Sequence, residues 1–268
     1  MKLRNGTSRL GLSFGLRNTA VIGFSAMAFL TLGRPAKADL VTNGSFEITS
    51  LTSTGYFSQF GSGPSNVAGW TVNCAGTVAG SCIPGDPALI LEVPAAGPTP
   101  FTPGQGLYGP APSPATDPIP VSPDGGNYVA EDTEAALRTN FYQTINGLTV
   151  GREYVLSFYQ AASQQQGETG ATTEQWTVAF GSQTQYSSVM DNPSESFTPW
   201  NRQTMTFTAT STSQVLSFLA DSPALGAPPV ALLDGVSLVP APEPSFAAFL
   251  GAGLLGLVAL RRWRQRRA

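Results

Sequence analysis

From Tyr154 onward the chain keeps repeating one device, a short run in which apolar and polar residues alternate before the run stops at a turn residue. Tyr154, Leu156, Phe158 and Gln160 alternate with Val155, Ser157 and Tyr159, and Trp176, Val178 and Phe180 alternate with Thr177 and Ala179 up to Gly181. A period of two puts successive side chains on opposite faces of an extended strand, so one face of each run suits a core and the other suits water. Runs of this kind, or short apolar ones, also occupy 69–72, 88–93, 125–130, 137–145, 183–189, 200–209, 215–219 and 230–239. About nine short strands with turn residues between them predict an all-β chain, a single antiparallel β-sandwich of the jelly-roll kind. Trp70 is expected in its core, and Asn43-Gly44-Ser45-Phe46-Glu47 reads as an Asn-Gly turn leading into an opening strand.

One stretch breaks the pattern. Ten of the 30 residues in 94–123 are proline, and no strand interior tolerates that. It reads as a long surface loop rather than a linker, because the segments before it are too short to bury a core alone. Within it Tyr108 either stands out as a contact residue or folds back onto the sandwich.

The two ends read as addresses rather than as fold. Lys2, Arg4, Arg9 and Arg17 precede an apolar run at 20–32, and Ala36-Lys37-Ala38 follows. That is the pattern of a secretory signal peptide, residues 1–38, with the mature chain starting at Asp39. At the other end Pro242-Glu243-Pro244 is followed by an apolar run at 246–260 and then by Arg261, Arg262, Arg264, Arg266 and Arg267. The apolar run is expected to be a transmembrane helix, with the arginines held on the cytoplasmic side. Its 15 residues reach only ~22 Å, against a hydrocarbon core of ~30 Å.

Removing both ends leaves 39–241, which carries 16 of the 17 acidic residues and only Arg138, Arg152 and Arg202 as bases, a formal charge of −13. Such a body repels polyanions, which excludes nucleic acid as a partner, and it offers oxygens to divalent cations. Cys74 and Cys82 are the only cysteines. In an exported segment they read as a local disulfide, which contributes roughly 2–3 kcal/mol. The rival reading, a pair of metal ligands, lacks the soft donors that a zinc shell needs.

The ordered tail of Pro242-Glu243-Pro244, an apolar helix at 246–260 and the five arginines resembles the PEP-CTERM sorting signal of bacterial surface proteins. The resemblance implies an exosortase-type protease as partner, a transient inner-membrane intermediate, and release to the cell surface or extracellular matrix. An ordinary tail anchor is the alternative.

Asn43-Gly44-Ser45-Phe46-Glu47, Gly69-Trp70, Gly125-Gly126-Asn127-Tyr128, the run at 154–158 and Leu233-Asp234-Gly235-Val236-Ser237-Leu238 together resemble the galactose-binding-like jelly rolls of several carbohydrate-binding modules. The resemblance implies that the first and last strands lie side by side. It also implies a structural Ca2+ between them, held by the side chains of Glu47 and Asp234 with backbone oxygens near Asn43. Otherwise Glu47 and Asp234 simply accept hydrogen bonds from turn amides.

The chain contains no histidine, which excludes nucleophilic sites built on an imidazole base. Carboxylates for glycoside hydrolysis are on offer at Glu131-Asp132 with Glu134, or at Glu174 beside Trp176, but acids are plentiful enough for such pairs to arise by chance. Sugar binding needs an aromatic platform with amides and carboxylates around it. Tyr108, Trp176 and Trp200 are the leading candidates, then Tyr128 and Tyr186, with Gln164, Gln165 and Asn201 as polar neighbours. The expectation is a non-enzymatic, exported surface or matrix protein associated with exopolysaccharide. A structural or adhesive component without a defined ligand is the first alternative and a glycoside hydrolase the second.

Overall fold

A computed structural model describes the backbone of residues 38–52, 55–56, 63–74, 89–93, 106–110, 117–133, 139–222, 229–242 and 246–267. These residues form β1 (Gly55–Tyr56), β2 (Gly63–Pro64), β3 (Thr71–Cys74), β4 (Leu89–Glu92), β5 (Tyr128–Asp132), β6 (Thr139–Asn146) and β7 (Glu153–Gln164). They continue with β8 (Thr172–Phe180), β9 (Gln183–Tyr186), β10 (Met190–Asn192), β11 (Phe197–Thr208), β12 (Ser213–Asp221), β13 (Pro229–Pro240) and α1 (Phe246–Gln265). By packing, the chain divides into two units, Met1–Ala36 and Lys37–Ala268. The first unit, with the expected signal peptide, lies outside the described residues, as do Cys82 and hence the expected disulfide, and Glu134, Arg138, Glu243 and Pro244.

The strands make two antiparallel layers, a six-stranded sheet in the order β1-β4-β5-β13-β7-β11 and a seven-stranded sheet in the order β10-β8-β12-β6-β3-β2, with β9 also on β8. This is the sandwich that the alternation predicts. β8 is its clearest case: Thr172, Glu174, Trp176, Val178 and Phe180 are buried while the residues between them are half-buried. The inward faces meet in an aromatic core. Trp70 packs on Phe46 at 5.4 Å and Phe141 at 5.3 Å, Phe141 stacks on Phe218 at 5.7 Å, and Phe158 meets Phe218 edge-on at 5.4 Å. Such pairs add ~0.5–1.5 kcal/mol each beyond the area they bury.

The opening segment corrects one expectation. Residues 41–48 form no strand, because Asn43 (φ 53°) and Phe46 (φ 59°) take left-handed conformations that end any extended run. The segment still runs beside β13: the Leu40 N–H donates to the Leu238 carbonyl at 3.0 Å and the Val236 N–H to the Gly44 carbonyl at 2.9 Å. A Cβ on Gly44 would stand 1.8 Å from the Val236 oxygen, so the close approach requires glycine there.

The proline-rich stretch does more than loop. Side chains alternate along β13, so Ala231 and Leu233 join the inter-sheet core while Val230 and Leu232 face outward. On that outer face they form a second apolar cluster with Ile90, Tyr128, Ala130, Ala161 and Phe197, and Leu107, Ile119 and Trp200 pack against it. The covering chain is tied down by hydrogen bonds. Ser163 Oγ donates to the Tyr108 carbonyl at 2.7 Å, and Trp200 Nε1 donates to the Pro120 carbonyl at 2.8 Å.

At the C-terminus α1 runs past the expected 246–260, because arginine sustains a helix well. The expectation of a transmembrane span is corrected: among the described residues no helix is long and apolar enough to cross a membrane. Its later turns carry Arg261, Arg262 and Arg264. Leu254, Leu255, Leu257, Val258 and Leu260 are exposed, and Arg267 lies 3.9 Å over the Trp263 ring.

Candidate functional site

The three aromatic residues favoured by sequence are not brought together. Trp176 is 0% exposed in the inter-sheet core and donates its indole N–H to the Leu232 carbonyl at 3.2 Å. Its ring face is therefore closed to any ligand, because the alternation of β8 turns it inward. Tyr108 is buried and donates its hydroxyl to the Glu195 carboxylate at 3.0 Å. Trp200 keeps a half-buried position, edge-on to Tyr128 at 5.5 Å, and serves as a fastening for the covering chain. Gln164 is also committed, donating to the Gly170 carbonyl at 3.1 Å and accepting the Glu195 N–H at 2.7 Å. Glu131 and Glu174 are both fully buried on inward positions, so neither can serve as a catalytic acid toward an external glycan.

The open surface is the outer face of the seven-stranded sheet. Strand register places Thr71, Tyr142, Ser217, Ala179 and Thr184 in one row across β3, β6, β12, β8 and β9. The next row holds Asn73 beside Asn140, and Leu219 beside Thr177 and Tyr186. Asp221 and Gln175 follow, with Gln175 Nε2 donating to the Ser187 carbonyl at 2.7 Å. Most of these side chains are half-buried, while Asn73, Thr184 and Tyr186 are exposed. Tyr142 and Tyr186 stand three strand spacings and one row apart, roughly 16 Å. Between and beside them lie hydroxyls and amides, and the described residues of this face carry no cationic side chain. Asn140 Oδ1 is buried with no hydrogen-bond partner, so it is closed to a ligand on this face.

Of this face, sequence reasoning had singled out only Tyr186. The signal for the rest was present: in 137–145 Phe141, Gln143 and Ile145 turn inward, which sends Asn140, Tyr142 and Thr144 outward together.

The positions proposed for calcium fit in part. Asp234 is fully buried; its Oδ1 accepts the Gly235 N–H at 2.7 Å and its Oδ2 has no partner. Burial lifts its carboxyl to about 7; the Ser122 hydroxyl and the Gly235 N–H oppose the rise, and the charges of Asp124 and Glu47 add to it. Glu47 lies close over Gly126, where a Cβ would collide with its carboxylate, and it accepts the Asn127 N–H. These two side chains are oxygen donors of the kind a hard cation takes. Asn43 does not fit as a side-chain ligand: its amide donates to the carbonyls of Ile48 and Ala68, both at 3.0 Å, and accepts the Ile48 N–H at 2.9 Å. Its carbonyl accepts the Trp70 indole N–H at 3.0 Å. Among the described residues no group of three or more His, Cys, Asp or Glu is placed to hold a metal ion.

No family model matches the chain, and no curated protein matches it. Among solved structures it is similar to TmCBM61 in complex with β-1,4-galactotriose, at 12% identity and a TM-score of 0.42 over 76% of this chain and 100% of that one. It is similar to arabinose-bound MgGH51 α-L-arabinofuranosidase at 15% identity and a TM-score of 0.41, over 76% of this chain and 26% of that one. It is also similar to the CBM22-1 xylan-binding domain from Paenibacillus barcinonensis Xyn10C at 13% identity and a TM-score of 0.35, over 78% and 97% of the two chains.

Proposed function

We propose that this chain is an exported, non-catalytic surface or matrix protein whose jelly-roll domain binds an uncharged polysaccharide across the outer face of its seven-stranded sheet. The observation that carries the reading is the composition of that face. Tyr142 and Tyr186 offer ring faces to sugar rings, while Asn73, Gln175 and the threonines offer amides and hydroxyls to sugar hydroxyls. The formal charge of −13 on 39–241 disfavours acidic polysaccharides. The burial of Glu131 and Glu174 supports a binding rather than a hydrolytic role. A Ca2+ ion at Asp234 Oδ2 and Glu47 would relieve the repulsion between those carboxylates and fasten the opening segment to β13.

Delivery rests on the ends. The Pro242-Glu243-Pro244 motif, the apolar part of α1 and the arginine cluster together suit recognition by an exosortase-type protease at the inner membrane. The exposed leucines of α1 support a segment meant for a partner or a membrane surface rather than for the sandwich. Two measurements test the proposal. A glycan array probed with the full chain, with and without Ca2+, is expected to retain it on neutral polysaccharides; retention on none leaves a structural matrix role in its place. Mass spectrometry of the surface-released protein is expected to find it without the arginine tail, and its retention would make the tail an anchor.

A further inference from the structure

Among the described residues two glutamates are fully buried between the sheets, and the fold treats them differently. Glu131 receives the Thr139 N–H on Oε1 at 2.9 Å and the Ala220 N–H on Oε2 at 3.2 Å. Glu174, 0% exposed on β8, has no partner on either oxygen. A buried carboxylate left bare costs several kcal/mol, and a neutral carboxyl left bare still costs ~1–3 kcal/mol. Its surroundings repeat the deficit. Thr172 precedes it by two residues on the same buried face; its hydroxyl lies close enough to the Glu174 carboxyl to oppose the effect of burial, but Oγ1 makes no hydrogen bond of ordinary geometry.

β7 supplies the opposite wall. It turns Phe158, Gln160 and Ala162 toward the interior, and Gln160, 0% exposed, has an unpartnered Oε1. The other end of that amide is fixed: Gln160 Nε2 donates to the Ser188 carbonyl at 2.9 Å and to its Oγ at 3.0 Å. Ser187 next door exchanges hydrogen bonds with the Trp176 backbone, both at 2.9 Å. Gln160 is thereby held near Trp176, two residues from Glu174 on the same face of β8, and β10 closes the third side with Met190 paired to Glu174 and Asn192 paired to Thr172.

Every unpartnered atom in this pocket is an oxygen. We infer that β7, β8 and β10 enclose a calcium site separate from the Asp234 position, with both oxygens of Glu174, Gln160 Oε1 and Thr172 Oγ1 as its donors. Carboxylate, amide and hydroxyl oxygens are the donors that Ca2+ accepts, and it tolerates their irregular arrangement better than Mg2+ does. Asp191 on β10 adds negative charge close to Glu174, and the acidic body attracts cations. Ser188, to which Gln160 is tied, is exposed, so the pocket lies one side chain from solvent.

The test counts ions on the full chain by native mass spectrometry after chelation and addition of CaCl2, and follows thermal unfolding under the same conditions. Wild type and D234N are both expected to bind a Ca2+ that E174Q does not, so E174Q carries one ion fewer than wild type. E174Q keeps the shape of the neutral acid and is expected to fold; Q160M, also close in shape, is expected to weaken the same ion. If E174Q binds as many ions as wild type, or if all Ca2+ binding disappears in D234N, the inference is overturned.

Discussion

The two outer faces of this sandwich each carry aromatic residues but differ in everything around them, and they come to opposite ends. On the six-stranded sheet the outward residues are Ile90, Tyr128, Ala130, Ala161, Val230 and Leu232, and the proline-rich chain closes over them with Leu107, Ile119 and the Trp200–Pro120 hydrogen bond. On the seven-stranded sheet the outward residues are Thr71, Asn140, Tyr142, Ser217 and Thr177, and they remain half-open. An apolar face must be covered; a face of hydroxyls and amides need not be. Aromatic residues therefore mean different things on the two sides, packing under the cover and, in the proposed function, platform on the open face.

The comparison can be broken most forcefully through the core that both sheets share. Trp176→Ala is expected to cost about 3–5 kcal/mol in denaturant unfolding, whereas Tyr186→Ala on the open face should stay within about 0.5 kcal/mol. A small effect at Trp176 would mean that its indole is not buried between the sheets.

Next in size is pH. The carboxyls of Asp234 and Glu174 are raised by burial to about 7 and about 8. Both bind protons more tightly in the folded than in the unfolded chain. Their contribution is therefore fully present below the ordinary carboxylate range and is lost as pH rises through about 7 to 8. Each can forfeit up to about 4 kcal/mol in all between the ordinary carboxylate pKa and its raised value. In chelator, unfolding free energy should fall between pH 4 and pH 8, less in D234N and in E174Q, and Ca2+ should flatten the decline. A chelated protein equally stable at pH 4 and pH 8 would show that the two acids are not buried as described.

Smaller still are the changes that separate the faces. Tyr142→Ala should weaken polysaccharide binding by about 10- to 100-fold, or ~1.4–2.8 kcal/mol, with little loss of stability. Trp200→Ala should do the reverse, costing ~1–2 kcal/mol of stability through its contact with Tyr128 and leaving affinity unchanged. If Trp200→Ala removed binding while Tyr142→Ala did not, the roles of the two faces would have to be exchanged.

Much of the frame was legible because alternation is a local signal. The runs at Trp176–Phe180 and around Met205 and Phe207 are strands with the inward sides their periodicity implies. The turn at Asn43 was legible from the Asn-Gly pair, but Phe46 was not, since a left-handed backbone at a phenylalanine is not favoured by residue type and goes with the packing of its ring on Trp70 and Phe141. Nor was the cover over the six-stranded sheet, because proline content says where strands cannot be but not which surface the chain crosses. Glu174 was legible in principle: carrying the alternation of Trp176, Val178 and Phe180 back by two residues places it inside. Residue type pointed outward and periodicity inward, and periodicity won.

The most direct test is a calorimetric titration of the full chain and its Tyr142→Ala and Trp200→Ala variants with one neutral polysaccharide retained in the array. Saturable binding by wild type and Trp200→Ala, weakened at least tenfold in Tyr142→Ala, is the predicted result; equal affinity in all three would contradict a binding site on the seven-stranded sheet.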